Sequence, residues 1–114
     1  MTLQLTPEAL AAAYDYLRTT LPFRRWSLPP ASEVRFTVNK DRKARGCHYH
    51  TGRQHVIAVS RACIERTDSL MPVLAHEMCH ARQTEKGLRR GHGPNFQKMA
   101  DAVCRHHGFD RALF

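Results

Sequence analysis

Residues 69–93 read SLMPVLAHEMCHARQTEKGLRRGHG, and the fold turns on the run Ala75-His76-Glu77-Met78-Cys79-His80 inside it. A helix is predicted from near Ser69, capped by Asp68 or Ser69, to about Lys86, with Gly87 as its stop. Leu70, Leu74 and Met78 recur one turn apart and supply its buried side. His76 and His80 stand four residues apart, so both imidazoles lie on one helical face. That spacing lets the two rings reach one metal ion, and imidazole donors in a hydrolytic HExxH pattern favour zinc. Glu77 projects beside the same face, placed to take a proton from water at the metal rather than to bind it. Two histidines flanking a glutamate are costly to bury without a ligand, which sets aside a plain core pair.

A catalytic zinc ordinarily takes three protein ligands and keeps one position open. His92, twelve residues beyond His80, is the best third candidate. It lies past the Gly87 stop, between Gly91 and Gly93, at the mouth of the next helix. The bland alternative is a capping or solvent-exposed loop histidine. His48 and His50 share one face of a strand with Cys47 on the other; for them and for Tyr49, a sheet-surface role outweighs a place in the cleft. His106 and His107 fall in the last turn of the final helix and read as structural. Cys79 reads as a packing residue.

Outward from this segment, a first helix is predicted from Pro7 to Thr20. Thr6 caps it, Glu8 suits its positive end, and Leu10, Ala13, Tyr14, Leu17 and Leu21 form its buried stripe. The stretch LPFRRWSLPPASE (21–33) is a proline-broken loop with Trp26 as a core anchor. Three strands follow, VRFTV (34–38), RGCHYH (45–50) and QHVIAVS (54–60), read as an antiparallel meander with turns at NKDRKA and Thr51-Gly52. A last helix opens at Pro94, buries Phe96, Met99, Ala100 and Val103, and stops at Gly108. The expected fold is one α+β domain over 1–114: an N-terminal helix, a three-stranded antiparallel sheet, the HExxH helix and a C-terminal helix.

The chain has 114 residues, 42% apolar and 25% charged, which excludes wholesale disorder. No apolar run reaches the roughly 18 residues of a membrane span, and the N-terminus does not read as a signal peptide. The expected compartment is the cytoplasm. Cys47, Cys63, Cys79 and Cys104 form no CxxC pair, so neither a disulfide framework nor a four-cysteine zinc site is expected, and most read as small buried hydrophobes. The formal net charge of +8 favours polyanionic partners, nucleic acid first. Basic residues cluster at Lys40, Arg42, Lys43 and Arg45, expected in the first hairpin, and at Lys86, Arg89 and Arg90 just before His92. Such a rim suits a phosphate backbone. Equally, exposed charges on turns need no partner.

The segments HEMCHA (76–81) and GHGPNF (91–96) together resemble the SprT-like zinc metalloprotease domain, whose members include Spartan. The similarity runs from about residue 5 to 108. It takes in the N-terminal helix, the tryptophan loop, the Arg45-Gly46-Cys47 element and both motif helices, in order. The resemblance implies a zincin-like fold, one Zn2+ per chain on His76, His80 and His92, and Glu77 as general base. It implies proteolysis and, for Spartan-type members, removal of proteins crosslinked to DNA, switched on by DNA. The expected partners are a protein substrate, DNA-bound or DNA-crosslinked, and single-stranded or damaged DNA; no membrane partner is expected, and the chain is expected to be a monomer. The competing class is a DNA-binding module with a structural zinc; another is a zinc hydrolase acting on other bonds.

Overall fold

The computed structural model describes residues 4–64 and 67–114. Helix α1 (Pro7–Arg18) is capped by Thr6, whose hydroxyl accepts the Ala9 amide at 3.0 Å. It ends two residues short of the expected Thr20. Leu10, Tyr14 and Leu17 are buried, while Ala13 and Leu21 are only half-buried. The proline-rich loop after it folds into short 3-10 turns at Phe23–Arg25 and Ala31–Glu33. Trp26 is buried, edge-on to Phe23, and the Tyr14 hydroxyl donates to the Pro29 carbonyl at 2.7 Å. The anchor expected at Trp26 is therefore shared with Tyr14.

Strands β1 (Val34–Asn39), β2 (Gly46–Thr51) and β3 (Gln54–Ser60) form one sheet, ordered β1-β3-β2. The antiparallel meander is corrected here. β2 pairs with β3 antiparallel across a two-residue turn at Gly52-Arg53, but β1 pairs with β3 parallel, Val34 opposite His55. The sheet is mixed because β3 is the strand that suits the centre. Its Val56, Ile57, Ala58 and Val59 are all buried. A continuous apolar run marks a strand covered on both faces, whereas β1 and β2 carry exposed polar residues. Residues 40–45 are consequently not a hairpin turn. They cross the end of β3, where Ser60 donates its amide to the Arg45 carbonyl at 2.8 Å and its hydroxyl to the Asp41 carbonyl.

Helix α2 (Thr67–Glu85) starts two residues earlier than expected, so Asp68 and Ser69 lie inside it, and residue 66, the cap position, lies outside the described residues. Its far end is a Schellman stop. Leu88 donates to the Gln83 carbonyl at 2.8 Å and Gly87 to the Thr84 carbonyl at 3.2 Å, with Gly87 at φ 64°. Helix α3 (Pro94–His107) ends on Gly108 at φ 75° and buries Phe96, Met99, Ala100 and Val103. His107 is structural, its Nε2 2.9 Å from the Thr20 hydroxyl. Cys79 and Cys104 are buried; Cys47 is exposed and Cys63 half-buried, so the buried-cysteine expectation holds for two of four.

α2 packs across the sheet on the face carrying Val34, Phe36, Ile57 and Val59, with α1 beside it; Leu70, Leu74 and Met78 fill the join. The close approach of α2 to β2 depends on Gly46. A Cβ there would stand 2.9 Å from Val73 Cγ1 and 3.1 Å from the Ala58 carbonyl oxygen. Gly46→Ala should therefore destabilise the fold by about 1–3 kcal/mol, read as a lower urea midpoint. An unchanged midpoint would mean that β2 and α2 separate freely.

Candidate metal centre

The helical period brings His76 and His80 to one face of α2, and the Schellman stop turns the following segment back toward that face. His92 arrives there from residues 88–93. Its Nε2 lies 3.2 Å from His80 Nε2 and 3.2 Å from His76 Nε2. Ligands of a tetrahedral zinc at about 2.0–2.1 Å stand about 3.3 Å apart, so this spacing fits such an ion. The three residues form a group able to hold a metal. The other ring nitrogens of His76 and His80 are already committed. His76 Nδ1 donates to the Phe114 main-chain oxygen, and His80 Nδ1 donates to Gln83 Oε1 at 2.8 Å. Those bonds fix the tautomer and leave Nε2 of both rings as a bare lone pair. Burial also lowers the His76 pKa to about 4 and pulls that of His80 down, so both rings are neutral at pH 7, as a metal requires.

Residues that sequence reasoning passed over brace this arrangement. Gln83 is fully buried. Besides receiving His80, its amide donates to the Gly91 carbonyl at 3.0 Å and to Asn95 Oδ1 at 2.6 Å. Asn95 in turn donates to the Arg89 carbonyl at 2.9 Å. One amide thus ties the HExxH helix to both sides of His92. Its place three residues after His80, on the same helical face, was the available signal. Phe96 lies under all three imidazoles, stacked on His80 at 5.0 Å and 4.6 Å from the His92 ring. The segment after α3 is strapped back by Arg111, which donates to Asp101 Oδ1 at 2.7 Å and to the Gln97 side chain. That strap delivers the Phe114 oxygen to His76.

Glu77 is 6% exposed. Burial pushes its carboxyl up to about 7, against the opposing pull of the Arg90 guanidinium. It opens on a cleft of about 310 Å³ whose other walls include Arg45, Gly46, Val73, His76 and Phe114. A second hollow, reaching Met71, Phe109 and Asp110, shares Arg45, Pro72 and Leu113 with the first.

The remaining expected residues are dispersed. Lys40, Arg42, Lys43 and Arg45 are exposed on the crossover of residues 40–45, and only Arg45 of the four lines the cleft. Arg89 is exposed. Arg90 is engaged: Nη1 donates to His48 Nδ1 at 3.1 Å and Nη2 to the His48 carbonyl at 3.0 Å. His48 is buried facing α2, which corrects its sheet-surface reading. Tyr49 points to the opposite face, 49% exposed.

Two outcomes follow from this geometry. His92→Ala should weaken zinc binding by more than the roughly 10–100-fold seen when only a supporting partner is lost, read by chelator competition. In the metal-free protein, the raised Glu77 pKa means that the folded state holds that proton more tightly than the unfolded chain. Its stabilising contribution is present below about 4.5 and lost as pH rises through about 7. Glu77→Gln should therefore gain stability relative to wild type across that window in urea titrations. A constant difference would place Glu77 in water.

The pattern of motif helices, crossover sheet and converging imidazoles has a counterpart among known families. No curated protein matches the chain. The SprT-like family model does, over residues 13–112. The match takes in the sheet, α2, α3 and all three converging histidines, and on that coverage the chain belongs to the SprT-like family.

Proposed function

We propose that this chain is a zinc-dependent metallopeptidase, with His76, His80 and His92 holding one Zn2+ and Glu77 as general base. The observation that carries the reading is the convergence of three Nε2 atoms beside a buried carboxylate on an open cleft. A bound zinc ion supplies Lewis-acid polarisation of a carbonyl and lowers the pKa of water. The chain supplies the rest. Glu77, lining the cleft beside His76, is placed to accept a proton from water and return it to a leaving amine. Gln83 and the Phe114 oxygen hold the ring tautomers. The cleft between residues 44–46 and 113–114 admits an extended segment of a protein substrate past Glu77.

The proposed substrates are proteins bound or crosslinked to DNA. Lys40, Arg42, Lys43 and Arg45 lie on the segment that forms one wall of the cleft, so a phosphate backbone along it would hold a DNA-bound protein at the site. Arg89, exposed on the segment that carries His92, is a further candidate phosphate contact. Arg90 is occupied by His48, and we leave it out of the phosphate contacts. No described helix is long and apolar enough to cross a membrane, and we place the activity in the cytoplasm.

The test is a cleavage assay with zinc-loaded protein and a basic DNA-binding substrate, with and without single-stranded DNA. Glu77→Gln should reduce cleavage by about 100-fold or more, and DNA should raise the wild-type rate. Glu77-dependent cleavage that ignores DNA would remove the DNA role. Zinc binding without any Glu77-dependent cleavage would favour a structural zinc in a DNA-binding module.

A further inference from the structure

Away from the three converging imidazoles, a second line of polar side chains runs from the surface of α2 to the segment bearing His92. Glu85 Oε1 lies 2.7 Å from His55 Nε2. His55 Nδ1 lies 2.8 Å from His48 Nε2, in the buried interior between β2, β3 and α2. His48 Nδ1 receives Arg90 Nη1 at 3.1 Å. Arg90 also donates to the His48 carbonyl and, at 3.3 Å, to the Thr84 hydroxyl.

The ends of this line dictate its interior. A guanidinium has only donors and a carboxylate only acceptors, while a neutral imidazole has one of each. Arg90 donates to His48 Nδ1, so the His48 proton sits on Nε2. That proton goes to His55 Nδ1, so the His55 proton sits on Nε2 and goes to Glu85. One arrangement of protons satisfies all three bonds. A doubly protonated His55 would set two N–H groups against each other. Burial and the Arg90 charge keep His48 neutral, its pKa lowered to about 3.

We propose that Glu85, acting through His55 and His48, sets the direction of this hydrogen-bond relay, and that the relay grips Arg90 and so holds the His92 segment against β2. Glu85, His55, His48 and Arg90 are then positioning residues for the third imidazole. The inference rests on the metal reading, because it assigns a purpose to the placement of His92. Reversing the end group reverses the line. A donor in place of Glu85 puts the His55 proton on Nδ1 and the His48 proton on its own Nδ1, facing the Arg90 N–H. Arg90 then loses its ring contact.

The experiment compares Glu85→Gln, which still offers an acceptor oxygen, with Glu85→Lys, which offers only donors. Glu85 is 42% exposed on the helix surface, so both variants are expected to fold. Ring 15N shifts of the full metal-free chain report the tautomers, and chelator competition reports zinc affinity. Both are measured at about 1 M salt, where screening to about 3 Å removes a direct charge effect. Glu85→Gln should keep His48 protonated at Nε2 and bind zinc like wild type. Glu85→Lys should move that proton to Nδ1 and weaken zinc about tenfold, approaching Arg90→Gln. Equal tautomers in the two variants, or a changed tautomer with unchanged affinity, would overturn the relay while leaving the metal reading intact. A wild-type chain that binds no zinc would overturn the metal reading and this inference together.

Discussion

Three imidazole nitrogens separated by 3.2 Å contacts set the constraint that organises the rest of the molecule. Two of them, on His76 and His80, are bare lone pairs because their rings spend their protons on Phe114 and Gln83. One N–H from His92 is a poor partner for both, whereas a divalent cation satisfies all three. Bringing lone pairs this close costs energy in the metal-free chain, so the surrounding structure must over-determine each ring. Gln83 does this for His80 and the Gly91 carbonyl at once. The Arg111 strap does it for His76, and Phe96 supplies an apolar floor beneath all three.

The same economy explains the environment of Glu77. A carboxylate beside a candidate cation site has to be near water yet poorly solvated if its affinity for a proton is to lie near neutrality. Gly46 makes that possible. Having no side chain, it lets β2 approach α2 closely enough to bury Glu77 while leaving the cleft in front of it open. The mixed sheet contributes as well. With β3 in the centre, β2 falls at the edge beside α2, and the crossover of residues 40–45 brings Arg45 to the wall of that cleft. In a meander those residues would have closed a hairpin at the end of the sheet.

Much of the candidate site was legible because helical geometry is local. The i, i+4 pairing of His76 and His80, the adjacent Glu77, the Gly87 stop and the opening of α3 at Pro94 all follow from short-range rules. His92 was reachable as the histidine nearest beyond that stop. The β2–β3 hairpin was legible too, although its turn is Gly52-Arg53 rather than Thr51-Gly52, which pairs His50 with His55. The strand order departs from a meander because the turn residues between β1 and β2 look locally like a hairpin, although the unbroken apolar run of β3 marks it as the central strand.

What the sequence determined by itself is therefore the set of helices and strands, the α+β class and the two segments that carry the converging histidines, since each rests on contacts within a few residues. The tertiary structure alone decided which side chains support them. Phe114 reaches His76 across 38 positions, Arg90 reaches His48 across 42, and Glu85 reaches His55 across 30. Such partners share no period and no motif. They meet only because burial of the apolar faces of α2 and β3 closes the chain around them, and a buried polar group then takes whichever complementary atom that packing brings within reach.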